Sequence, residues 1–162
     1  VVGVQGRATI ALAAAAGNEG RPCPLPTLQG GTSPDDFDAC GAASRCVVRD
    51  LDTKRYFMFY EGVAADGGRS IGVAVSEDGL SGWQRHPHPI LEPSSEAGAW
   101  DGGAVGCPWA VSMAGGKWRL YYSGRAMREG GAWRGIGMAR SVDGAQSFRG
   151  APTQFRRHGV EG

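Results

Sequence analysis

The chain has 162 residues, enough for one domain of ordinary size, and 17 Lys and Arg stand against 16 Asp and Glu. No basic stripe emerges from that balance, so nucleic acid is not an expected partner, and no apolar run approaches the ~20 residues of a membrane span. The 28 glycines and 9 prolines suit short strands joined by tight turns and do not suit a helical bundle.

In chain order, residues 1–20 read as the tail of one repeating unit, with Ile10-Ala11-Leu12-Ala13 resembling a later strand. Residues 21–35 form a linker. Residues 36–93 make a first complete unit: an inner strand over 45–49, a turn at Asp50-Leu51-Asp52-Thr53, and a second strand over 54–61. That second strand is aromatic through its middle, which predicts burial on both faces. A third strand follows over 70–76, then the Glu77-Asp78-Gly79 turn, a short outer strand from Trp83, and a Pro-broken connector over 86–93. Residues 94–150 repeat the plan. An inner strand runs over 104–113, interrupted at Pro108, followed by strands over 117–124 and 133–141 and an outer segment at Phe148. Residues 151–162 lead onward without a matching inner strand.

The repeat is direct. Arg69-Ser70-Ile71-Gly72-Val73-Ala74 returns 65 residues later as Arg134-Gly135-Ile136-Gly137-Met138-Ala139, and Tyr56–Gly62 answers Trp118–Gly124. A long-period repeat of aromatic strand, loop, glycine-containing strand and Asp-Gly turn is the signature of β-propeller blades. The expected fold class is all-β: an incomplete propeller with two full four-stranded blades plus flanking strands. The chain is accordingly expected to be part of a longer ring.

Tyr60-Glu61-Gly62, Ser70-Ile71-Gly72-Val73-Ala74 with Ser76-Glu77-Asp78-Gly79, Trp100-Asp101 followed by Gly106-Cys107-Pro108, and Trp118-Arg119-Leu120-Tyr121-Tyr122-Ser123-Gly124 carry a resemblance. It is to the five-bladed arabinanase, levansucrase and invertase group, and most to family-43-type glycoside hydrolases of plants and algae. It covers about residues 36–150. The resemblance implies hydrolysis of arabinosyl, xylosyl or fructosyl bonds, with carboxylates placed near the start of inner strands around a central funnel. Glycoside cleavage uses two such groups, one protonating the leaving oxygen and one activating water or attacking the sugar.

Asp38 and Asp101 both precede an inner strand and lie 63 residues apart, so they occupy equivalent places in adjacent units and are the first catalytic candidates. An Asp in such a place also caps turns. Glu61, whose repeat partner is Ser123, is the third candidate, open to a purely structural explanation. Trp100, Trp109 and Arg45 are candidate sugar contacts through ring stacking and guanidinium donation. Asp78 and Asp143 are expected to hold their own turns. His86 and His88 read as a surface loop. No metal site and no cofactor are expected, since zinc spacing, phosphate-cradling loops and dinucleotide fingerprints are all missing. Cys40 and Cys46 could bridge in an oxidising compartment or remain free thiols; the compartment stays open. The alternative to an enzyme is a non-catalytic carbohydrate-binding or interaction propeller.

Overall fold

A computed structural model describes residues 26–127, 135–142, 144, 145 and 148–150, the last two as backbone. The candidate preceding tail, Cys23, Asp143 and residues 151–162 lie outside the described residues. The described part is all-β, with eight strands in two antiparallel sheets. Strands β1 (Gly41–Arg49), β2 (Tyr56–Val63), β3 (Arg69–Ser76) and β4 (Gln84–Arg85) form the first sheet in that spatial order. Strands β5 (Ala104–Met113), β6 (Lys117–Arg125), β7 (Gly135–Ser141) and β8 (Arg149–Gly150) form the second. Two copies of one four-stranded meander are what the repeat dictates. β1 begins four residues earlier than the hydrophobic pattern suggests, because Gly41, Ala42 and Ala43 already pair with Val63, Gly62 and Glu61.

Alternation along β2 decides how the sheets stack. Phe57 and Phe59 point toward the second sheet, where their rings meet Trp118 at 5.1 and 5.4 Å between centroids, and Phe59 meets Phe148 edge-on at 5.9 Å. With Ile71, Val73, Leu120 and Tyr122 these build the main core between the sheets. Met58 and Tyr60 point the other way, into a second cluster with Leu28, Ala42 and Ala74. The aromatic run is buried on both faces for this reason: one face meets a neighbouring sheet, the other the segment preceding β1.

The connector after β4 continues along the outer edge of β3. His86 N–H donates to Val73 C=O at 2.8 Å and Ile90 N–H to Ile71 C=O at 2.8 Å. Prolines at 87 and 89 explain why this edge forms a broken ladder and not a full strand. Free edges β1 and β5 lie side by side, as innermost strands of neighbouring units do.

Candidate functional site

Asp38 and Asp101 each sit in a clamp built the same way twice. The Tyr60 hydroxyl donates to Asp38 Oδ2 at 2.9 Å, and the Tyr122 hydroxyl donates to Asp101 Oδ2 at 2.8 Å. The residue before each acid lays an aromatic ring on the same tyrosine: Phe37 on Tyr60 at 6.1 Å and 27°, Trp100 on Tyr122 at 5.8 Å and 21°. Glycines make room for the rings. A Cβ on Gly62 would lie 2.5 Å from Phe37, and one on Gly124 would lie 2.3 Å from Trp100. Burial, reinforced by Asp38, pushes the Tyr60 phenol far above its ordinary range. Burial and the bond to Asp101 do the same to Tyr122.

The first clamp holds two further partners. Asp38, with 0% exposure, also accepts two 2.7 Å contacts from Arg85 Nη1 and the Gly31 N–H at 3.0 Å. Burial alone would lower the Arg85 pKa; the hydrogen bond and charge of Asp38 outweigh it and raise the guanidinium above its usual value. Arg85 pairs in register with Ala74, and its counterpart beside Ala139 is Gly150. Asp101, 9% exposed, thus has a glycine at the register of Arg85, and among the described residues its side chain is engaged only through Oδ2.

A second constellation lies on the adjacent edge strands. β1 breaks register between Ala43 and Arg45, and β5 between Gly106 and Trp109. Each bulge carries a non-glycine residue in the left-handed region, Ser44 at φ 40° and Cys107 at φ 48°, a conformation that costs energy and clusters at functional sites. The two bulges meet, with Cys107 Sγ 3.9 Å from Ser44 Oγ. Behind them stands Glu61, 2% exposed. Its Oε2 accepts the Cys107 N–H at 3.2 Å, and its Oε1 is bound by Arg69. Glu61 thus spans from the first sheet to the bulge of the second. Trp109 follows the bulge with 66% of its surface exposed, and Arg45 is exposed beside the other bulge.

No protein-family profile matches the chain, and no curated protein sequence matches it. Solved structures do. One is a putative glycoside hydrolase from Bacteroides ovatus, with TM-score 0.56 and 16% identity over 77% of this chain and 37% of its own. Another is a family-43 β-1,3-galactosidase with galactodeoxynojirimycin, with TM-score 0.51 and 18% identity over 76% of this chain and 37% of its own. The fold is that of the glycoside hydrolase β-propellers. The chain spans little more than a third of either neighbour's length.

Within this propeller architecture each sheet is a blade, and the sequence-derived candidates fall into two groups. Asp38 and Asp101 hold equivalent places, one in the clamp of each blade. Tyr60 and hence Asp38 lie on the face of the first blade turned away from the second, whereas Tyr122 and Asp101 lie on the second blade's face toward the first. Each carboxyl is turned onto the tyrosine of its own second strand. Trp100 belongs to the second clamp and packs against the inter-blade core. Glu61, Arg45 and Trp109 belong to the ledge formed by the two inner strands. Ser44 and Cys107 on that ledge are not singled out by the sequence reading; Pro108 inside an otherwise regular strand is the available signal.

Asp78 holds its turn, accepting the Leu80 and Ser81 N–H groups at 2.8 Å each and the hydroxyls of Ser76 and Ser81 at 2.9 Å. The two backbone donors, with the hydroxyls, hold its pKa well below the ordinary carboxylate range. His86 Nδ1 lies 2.8 Å from the His88 carbonyl within the connector. Among the described residues no cluster of three or more His, Cys, Asp or Glu could hold a metal ion, and Cys40, Cys46 and Cys107 are free thiols.

Proposed function

We propose that this chain supplies two adjacent blades of a five-bladed, family-43-like propeller of plant or algal type. Its activity is hydrolysis of glycosidic bonds in arabinosyl, xylosyl or fructosyl glycans. The observation that carries the reading is the ledge where Ser44 and Cys107 protrude from matched bulges between exposed Arg45 and Trp109, with the Glu61 carboxylate directly behind. An exposed indole offers a flat apolar face to the C–H face of a sugar ring, and a guanidinium offers several donors to its hydroxyls.

Hydrolysis requires one group to protonate the leaving oxygen and a second carboxylate to act on water or on the anomeric carbon. Glu61 is the proposed carboxylate of the ledge. Asp101 is the second, because its Oδ1 carries none of the described hydrogen bonds. Asp38, with Arg85, Tyr60 and Gly31 on its oxygens, is the weakest of the three for chemistry. Trp100 would act by orienting Asp101. A chromogenic panel of α-arabinofuranosides, β-xylosides and fructosides tests the proposal. Turnover that is lost in Asp101→Asn and Glu61→Gln, with native thermal unfolding, supports it. Full turnover in both variants removes these residues from the mechanism.

One observation favours a second reading, sugar binding without turnover: both oxygens of Glu61 and both of Asp38 are already bound by protein donors. Retention of xylan or arabinan that depends on Trp109 and survives all three acid substitutions, with no product, selects it.

A further inference from the structure

We infer that the outward face of the second blade is a docking surface for a further blade that sets carboxylates against Arg119 and Arg140, an inference that rests on the proposed ring. The join already present supplies the pattern. On the face that the first blade turns to the second, cross-strand neighbours form two rows: Cys46, Phe59 and Val73, then Val48, Phe57 and Val75. Ile71 stands two residues before Val73 on the same face. The second blade repeats these rows in the same register as Trp109, Tyr121 and Met138, then Val111, Arg119 and Arg140, with Ile136 in the place of Ile71. The first set is buried in the join and the second is open. Ile71 is 0% exposed and Ile136 71%; Phe59 is 0% exposed and Tyr121 38%.

The charge of the open face says what covers it. Arg119 and Arg140 stand where the first blade has Phe57 and Val75, directly opposite one another on adjacent strands. Like charges so placed are unfavourable, both side chains are exposed, and among the described residues neither has an ion-pair partner. A second copy docked through the same face would set these arginines against their own counterparts, so an isologous dimer does not fit. The far face of the first blade is already packed with Leu28 and Phe37, so copies stacked head to tail do not fit either. A further blade does fit, since the chain spans little more than a third of the solved propellers' length. Its apolar centre would meet Tyr121, Met138 and Ile136. Its carboxylates would stand where the second blade has Trp118, the ring that meets Phe57, and would accept charge-assisted bonds from the two guanidinium groups. Trp109, on the innermost strand, lies at the border between this face and the ledge.

The test reads unfolding and not turnover, so a chain without glycosidase activity can pass it and an active one can fail it. The probe is a further copy of residues 94–150 fused after Gly162 of the full chain, because its Trp118 face is the one that already packs on a blade. The extended chain is expected to unfold in a single transition, with a steeper urea dependence than the parent. Ile136→Asp in the original copy should lower its thermal midpoint by roughly 4–8 °C. The same substitution in the appended copy, whose face is the new open end, should move it by less than about 2 °C. Trp118→Glu in the appended copy should unfold above Trp118→Gln there, because only the carboxylate pairs with Arg119. Three outcomes overturn the inference: equal effects of Ile136→Asp in the two copies, a Trp118→Glu midpoint no higher than that of Trp118→Gln, or an appended copy that does not fold or that melts apart from the parent.

Discussion

At the scale of single residues, Asp38 and its partners make the sharpest prediction. A buried carboxylate held by a guanidinium, a phenol and a backbone N–H is costly to disturb one-sidedly, because the remaining partner keeps its charge in a poorly hydrated place. Asp38→Asn is therefore expected to destabilise the chain by about 3 kcal/mol, read as a lower midpoint in urea unfolding. The value sits at the low end of such losses because Arg85 keeps some access to water. An unchanged midpoint would mean that the clamp contributes nothing to the fold. The tyrosines predict a pH dependence. Their phenols are raised above the ordinary 10.0 in the folded chain, so the unfolded chain ionises first. The stability they contribute is complete below pH 10 and is lost as pH rises beyond it. Replacing both, Tyr60→Phe with Tyr122→Phe, should flatten the alkaline limb of a stability-versus-pH curve; a limb of unchanged slope would contradict the assignment.

At the scale of elements, glycines in the second and third strands decide whether the aromatic plates can lie flat. Gly124→Ala would place a Cβ 2.3 Å from the Trp100 ring and 2.7 Å from the Asp101 Cβ. Neither side chain can retreat without leaving Tyr122, so a loss of about 1–3 kcal/mol is expected, checked by chemical denaturation. Gly115→Ala, where nothing lies within 4 Å, supplies the contrast: it strains a turn but disturbs no ring. Strand order was legible because the hydrophobic runs and Asp-Gly turns recur at nearly constant spacing, and β5 is found over the residues the pattern assigns to it. The clamps were less legible. Asp38 and Tyr60 are 22 residues apart, and an acid ahead of an inner strand reads equally as a sugar ligand or as a turn cap. A usable signal was present all the same: the aromatic-Asp pair and the Tyr-x-Gly triplet occur in both copies. A feature that every blade repeats is what every blade needs to fold. Ser44, Cys107 and Glu61 were hard to place for the opposite reason, since bulges arise from how two edges meet and not from the pattern within either strand.

At the scale of the whole molecule, the two blades are joined at opposite ends by different chemistry. Near the start of the inner strands the join is Glu61 on the Cys107 N–H. Near their far end it is Asp50, whose Oδ1 accepts the Ser112 hydroxyl at 2.7 Å while Ser112 Oγ accepts the Leu51 N–H at 3.0 Å, and Asp52, which accepts the Gly116 N–H at 2.6 Å. Asp50 is buried, and burial by itself would raise its pKa; the hydrogen bonds from Thr53 and Ser112 together outweigh that and leave it below the ordinary 3.8. The sign follows. Because the folded pKa lies below the unfolded one, the join contributes stability above pH 3.8, and that contribution is lost as pH falls through the depressed value. Ser112→Ala should weaken the docking of the blades by about 1 kcal/mol at neutral pH and move the acid transition upward, because one of the bonds that lowers the Asp50 pKa is gone. Asp50→Asn should instead remove this part of the acid dependence. Unfolding curves measured from about pH 5 down to about pH 2 distinguish the two: an acid limb in Ser112→Ala superimposable on that of the wild type would show that Asp50 steadies only its own turn and does not tie one blade to the next.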